Sequence, residues 1–196
     1  MSETDAHPDT RERLLIEAID LIERQGFCAF SYADLADRVG IRKPSIHHHF
    51  PTKADLGVAV VRATRGLVEG LWRDLERDHP RVPDRLRRMF ALKRGMAAGE
   101  GCARICRVGA LQAEFNALPA PVQAELTTLS EAHAARLAAW LDEGRRAGDL
   151  VFPGPPRAMA QVVAAAIQAG LQRQRCNPAE TLDALLDQLE RLLGLG

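Results

Sequence analysis

Aromatic side chains are scarce in this chain: six Phe, two Trp and one Tyr make up 5% of its 196 residues. Sheets draw on aromatic and β-branched residues, and no short stretch here alternates in that way. Ala, Leu and Arg abound instead, which favours helix, so the expected fold is all-α. Long apolar runs are missing too. The longest, Val162 to Ile167, falls far short of the roughly 20 residues that span a bilayer, and no membrane partner is expected. The opening MSETDAHPDT is polar and acidic, unlike a secretory leader, and the expected location is cytoplasmic. Cysteine is limited to Cys28, Cys102, Cys106 and Cys176, with no CxxC pair and no Cys and His at zinc-finger spacing. These read as thiols rather than a disulfide framework, and neither a structural metal nor any other cofactor is expected. No Gly-rich phosphate loop, HExxH or nucleophile elbow occurs, so an enzyme is not expected and no residue is assigned a catalytic role.

Net charge is also absent, since 26 Lys and Arg offset 26 Asp and Glu. That argues against wholesale nucleic-acid binding. The distribution says something different. Residues 1–55 are net acidic, with seven basic and ten acidic side chains, yet Arg38 to Lys53 carry four basic residues, three histidines and no acid. Positive charge in the first quarter of the chain is gathered at one place.

What the sequence does contain is helical periodicity. Leu14, Leu15, Ala18, Ile19 and Ile22 keep a 3-4 spacing from Asp9 to Arg24, and Gly26 stops that helix. Ser31 caps a second through Ser-x-x-Asp, with Leu35, Ala36 and Val39 inward and Gly40 at its end. Pro44 opens a short third helix running to about Phe50. Thr52 caps a fourth reaching about Asp78. Five more follow at roughly 84–98, 103–116, 120–147, 156–175 and 178–193, separated by GEG, LPAP, GDLVFPGPP and Asn177-Pro178. About nine helices result. The first three form a compact unit, so the expected division is one domain at 1–55 and a larger second domain at 56–196.

Residues 31–50 have the spacing of a helix-turn-helix. Ala36 is small enough for a close crossing, Gly40 turns the chain without a Cβ penalty, and Ile41 plugs the corner. Ile46 and Phe50, one turn apart, anchor the recognition helix. Arg42, Lys43, Ser45, His47 and His48 are left pointing outward, and these are donors suited to phosphates and base edges. Lys53 and the backbone amides at the start of the fourth helix suit a phosphate, as do Ser31 and Tyr32 at the start of the second. The plain alternative is an αα-hairpin of a helical adaptor or enzyme. The acid-free basic segment favours DNA.

The run FSYADLADRVGIRKPSIHHHFPTKADL, Phe30 to Leu56, resembles the N-terminal domain of the TetR/AcrR family of bacterial transcriptional regulators, with His49-Phe50, Thr52-Lys53 and Leu56 on the family pattern. His47 and His48 stand where that family commonly carries tyrosine, and Pro44 where it carries a small residue. These departures bear on sequence preference. The resemblance implies an all-α homodimeric repressor bound to a palindromic operator and released by a small molecule held in the C-terminal domain. It also implies that the eighth and ninth helices pair with their copies at the dimer interface.

Three consecutive histidines also suggest a metal site. Successive helical residues diverge by about 100°, so His47, His48 and His49 fan apart, and neither Pro51 nor Thr52 supplies an i+4 partner. They are instead assigned separately: the resemblance to the family implies that His49 packs at the helix end, while His47 and His48 are expected to face DNA. Histidine protonates near pH 6.5 in its reference state, so operator binding is expected to strengthen below neutral pH.

In the C-terminal part, Met89, Phe90, Met96, Cys102, Cys106, Phe115, His133 and Trp140 are candidates for contact with the effector, although residues at such spacing also build ordinary core. Cys102 and Cys106 would share a helix face near Arg104 and Arg107 if the helix began early enough. A neighbouring cation can make a thiol reactive, so a redox or electrophile sensor using Cys106 or Cys102 is the alternative mode of release. The ninth helix carries a leucine stripe at 182, 185, 186, 189, 192 and 193.

Overall fold

The computed structural model describes residues 9–98, 106–176 and 182–195. Among them all regular structure is helical: α1 (Thr10–Gln25), α2 (Tyr32–Val39), α3 (Lys43–His49), α4 (Lys53–Asp78), α5 (Val82–Ala98), α6 (Arg107–Ala113), α7 (Ala120–Arg146), α8 (Pro156–Cys176) and α9 (Leu182–Leu192). The all-α expectation holds. None of these helices is long and apolar enough to cross a membrane.

The helix ends follow local chemistry. Asp9 caps α1 by accepting from the Glu12 amide at 2.7 Å. Thr52 and Asp55 cap α4 reciprocally, Asp55 Oδ2 accepting from the Thr52 amide at 2.9 Å and Thr52 Oγ1 from the Asp55 amide at 3.1 Å. The sixth helix departs from the periodicity, which extends it to Asn116. It stops at Ala113, because Glu114 turns to φ −98°, ψ 9° and a 3-10 turn, Phe115–Ala117, follows. Pro119 then holds Leu118 extended at φ −72°, ψ 147°. The expected starts of the sixth and ninth helices, at 103 and 178, lie outside the described residues.

The chain divides into two compact units. One comprises Met1–Thr64 and Arg107–Leu126, the other Arg65–Cys106 and Thr127–Gly196. In the first, α1 packs on α2 and α6, and α2 on α3. Leu14, Ala18, Ile22, Leu35, Ile46, Phe50 and Leu56 form its buried core. Arg107 pairs with Glu23 at 2.8 Å, both largely buried, and Glu114 accepts from the Phe27 amide at 2.6 Å. The loop after α1 is thereby fastened to the segment after α6.

In the second unit α8 packs on α9, and α5 on both. Leu86, Phe90, Trp140, Leu141, Val163, Leu186 and Leu193 are buried at its centre. A Cβ on Gly170 would lie 2.6 Å from the Leu185 side chain, so glycine sets how closely α8 approaches α9. Leu182, Leu186, Leu189 and Leu193, the greater part of the leucine stripe, are buried within their own chain. The apolar face left exposed belongs to α8, where Ala158, Val162, Ala165 and Ala169 share one side.

Candidate nucleic-acid interface

The helix-turn-helix is built from three local devices. Ser31 Oγ accepts from the amides of Ala33 and Asp34 at 3.1 and 3.4 Å, while Asp34 Oδ2 accepts from the Ser31 amide at 2.7 Å, a complete capping box at the start of α2. Gly40 takes the left-handed conformation, φ 73° and ψ 37°, which costs other L-residues roughly 1–2 kcal/mol. Its amide and that of Ile41 both donate to the Ala36 carbonyl, at 2.9 and 3.1 Å, and the chain turns sharply into α3. Pro44 then stands in the first turn of α3, where no backbone N–H is required.

α3 keeps a single buried side chain, Ile46, with no exposure, and Phe50 follows at 2%. The Arg11 guanidinium lies 5.1 Å from the Phe50 ring centroid. Held by these two anchors, the helix leaves Arg42, Lys43, Ser45, His47 and His48 exposed, and Ser31 is exposed at the head of α2. No acid sits in the first turn of α3.

Two of the expected contacts have other commitments. Tyr32 is 6% exposed, and its hydroxyl lies 2.9 Å from the Phe50 carbonyl and 2.6 Å from that of Thr52. Burial, with the Asp55 charge adding, pushes its pKa up to about 12, so the hydroxyl stays a donor. The Lys53 ammonium donates to the Phe27 carbonyl at 2.6 Å and to that of Phe30, and lies 4.7 and 4.3 Å from the ring centroids of the same two residues. Burial lowers its pKa, against the raising effect of Cys28, Glu114 and Asp34. Tyr32 and Lys53 therefore tie the end of α3 and the start of α4 to the loop before α2. Arg38 is engaged as well, with Glu17 and Asp20 at 2.9 and 2.5 Å. Of the four basic residues in the acid-free segment, Arg42 and Lys43 remain as cations on the open surface.

Of the three histidines, His47 turns away from its neighbours, while the His48 and His49 rings stay close to each other. The His47 ring meets Tyr32 edge to face at 5.0 Å, and its Nδ1 lies 2.9 Å from the Pro51 carbonyl. A carbonyl only accepts, so Nδ1 carries the proton. In the neutral ring Nε2 is then an acceptor, and protonation makes it a donor toward phosphate. His48 and His49 meet edge to face at 5.3 Å. His49 is half-buried.

The described candidate effector contacts fall in both units. Met89, Phe90 and Trp140 belong to the core of the second unit, and Met96 is 59% exposed. Phe115 falls in the first unit. Cys106 is a half-buried free thiol preceding α6, so the shared helix face with Cys102 does not arise through α6, and Cys102 itself lies outside the described residues. Arg107, expected beside the thiols, is engaged by Glu23. Burial and then Glu114 push the Cys28 thiol up, which keeps it protonated.

Comparison with known proteins bears on the whole chain. Residues 14–60 match the family described as bacterial regulatory proteins, tetR family, and residues 82–189 match the tetracyclin repressor-like C-terminal domain. A TetR-family transcriptional regulator from Agrobacterium tumefaciens has a crystal structure 31% identical in sequence, covering 93% of this chain and 97% of its own, with a TM-score of 0.87. The HTH-type transcriptional repressor NemR of Escherichia coli K12 is 26% identical over 94% of each chain, and the structure of its reduced form superposes with a TM-score of 0.81. The transcriptional regulator AcuR of Cereibacter sphaeroides is 27% identical over 76% of this chain and 69% of its own.

Proposed function

We propose, from the premise that this chain belongs to the tetR family of bacterial regulatory proteins, that it is a cytoplasmic repressor which binds a palindromic operator as a homodimer and is released by a small molecule. The observation that carries this reading is the acid-free outer face of α3: Arg42, Lys43, Ser45, His47 and His48 stand exposed over the buried anchors Ile46 and Phe50. Arg42 and Lys43 supply the cationic contacts, Ser45 and the two histidines read base edges or phosphates, and the Ser31 cap borders the neighbouring backbone. Tyr32 and Lys53 act at second hand, by holding α3 and α4 in place. Residues 1–55 carry the DNA-binding role, and 56–196 the ligand-binding and dimerisation roles.

Dimerisation is required by geometry, because two recognition helices must enter successive major grooves. The exposed Ala158, Val162, Ala165 and Ala169 face of α8 supports pairing there, as small residues let two helices approach closely. The leucines of α9 serve that face from beneath. A gel shift with the DNA upstream of the chain's own reading frame, run as a salt series, tests the reading: a palindromic segment should be bound with a steep salt dependence. Binding with no preference for any segment would remove the regulator. Operator affinity compared at pH 8 and pH 6 at fixed salt tests the expected strengthening of binding below neutral pH, and an unchanged affinity would set it aside.

A second reading makes the release thiol-based. It is favoured by the half-buried free thiol of Cys106 and by the NemR relative, for which a reduced form is described. Protein carrying both Cys102→Ser and Cys106→Ser that still leaves its operator on peroxide or quinone treatment would exclude it.

A further inference from the structure

The second unit contains two tryptophans with opposite surroundings. Trp140, 1% exposed, donates its indole N–H to Glu76 at 2.8 Å, as buried polar groups ordinarily do. Trp72 packs edge to face on Trp140, ring centroids 4.3 Å apart, and meets His133 at 6.2 Å. Yet Trp72 Nε1 and His133 Nε2, both buried, have no hydrogen-bond partner. They line the same cleft, about 360 Å³, between α4 and α7, and that volume suits a small organic molecule. Its apolar wall is Val68, Leu129 and Ala132.

The charge lining the cleft is unbalanced. Arg136 is paired with Glu76, and Arg65 lies 3.9 Å from Glu69. Arg73 donates to the Glu69 carbonyl at 3.3 Å, and among the described residues it has no carboxylate partner. Burial, and then the charge of Lys93, lower the His133 pKa and keep that ring neutral. The indole N–H can only donate. The cleft thus presents one uncompensated guanidinium, one donor without an acceptor and an apolar wall.

We propose that this cleft is the site of a small organic monocarboxylate, its carboxylate held by Trp72 Nε1 and Arg73 and its apolar body by Val68 and Leu129. The proposal rests on the ligand-responsive reading above and gives the effector a chemical class. His133 supplies a further polar contact from the opposite helix. A cation is disfavoured by the three arginines, and a neutral molecule leaves Arg73 without a counter-charge.

The test uses the full-length protein and benzoate, with hexanoate as an open-chain carboxylate and benzamide and phenyl phosphate as comparisons. Tryptophan fluorescence should change saturably with benzoate or hexanoate below about 10 mM, because Trp72 is one of only two tryptophans. Calorimetry should show benzamide about tenfold weaker than benzoate, and Arg73→Gln and Trp72→Phe each about tenfold weaker for benzoate. Trp72→Phe keeps the aromatic packing and removes only the donor. No saturable binding of either carboxylate, benzamide equal to benzoate, or phenyl phosphate tighter than benzoate would each overturn the proposal. A carboxylate that binds at Arg73 and Trp72 but leaves the operator complex intact would uphold the site and remove its effector role.

Discussion

The two units of this molecule treat their buried polar groups differently. Around the helix-turn-helix the donors are matched: Tyr32 with the Phe50 and Thr52 carbonyls, Lys53 with those of Phe27 and Phe30, Arg107 with Glu23. In the second unit Trp72 Nε1 and His133 Nε2 are left without hydrogen-bond partners, and each such group costs about 1–3 kcal/mol. A surface for DNA needs fixed side chains on a rigid support. A pocket for a ligand needs groups whose bonding is incomplete until the ligand arrives. Under the proposed function, the difference separates a presenting unit from a receiving one.

That contrast can be broken most severely at Ile46. It has no exposure and holds α3 to the core, so Ile46→Ala should cost about 3 kcal/mol in a urea melt and abolish operator binding. An unchanged urea midpoint would mean that α3 is held in some other way. Next is Lys53→Met, which leaves two loop carbonyls without their ammonium. It should cost about 2 kcal/mol and weaken DNA binding only as far as the fold loosens. Lys43→Ala should do the reverse: an unchanged melt, operator affinity down about tenfold, and a salt slope shallower by about one. If Lys53→Met spares stability and Lys43→Ala does not, the assignment of one lysine to the fold and the other to DNA is inverted.

The smallest effect concerns His133 and sharpens the receiving side. Its folded pKa lies below the ordinary 6.5, through burial and Lys93. Above that value both states are neutral and the group contributes no pH dependence. As pH falls below it, the unfolded chain takes up a proton that the folded one resists, so stability declines with acidity until the folded pKa is reached. Urea melts between pH 7.5 and 5 should show this decline, and His133→Gln should flatten it. An identical slope in the variant would assign the acid sensitivity to other groups.

Much of the presenting unit was legible in the sequence. Gly40, Ser31 with Asp34, and the Ile46 and Phe50 pair are local signals whose meaning depends on near neighbours, and each stands where its spacing predicted. The roles of Tyr32 and Lys53 were not legible. Their partners lie 18 to 26 residues away along the chain, and only the tertiary fold brings a side-chain donor to those carbonyls. Arg38 was counted with the basic segment for the same reason, its partners Glu17 and Asp20 being on α1. In the second unit, periodicity marked the leucines of α9 as apolar without saying which neighbour covers them. The Trp72 and His133 pair joins two helices far apart in sequence, and no spacing rule connects them.

The most direct measurement is fluorescence anisotropy of a labelled palindrome from the chain's own upstream DNA, titrated at several salt concentrations with the wild type and with an Arg42→Gln, Lys43→Gln double variant. The account expects tight wild-type binding with a steep salt dependence, and a variant that melts like the wild type but binds about a hundredfold more weakly with a slope shallower by about two. Equal affinity and equal slope for the two proteins would contradict the claim that α3 is the surface that meets DNA.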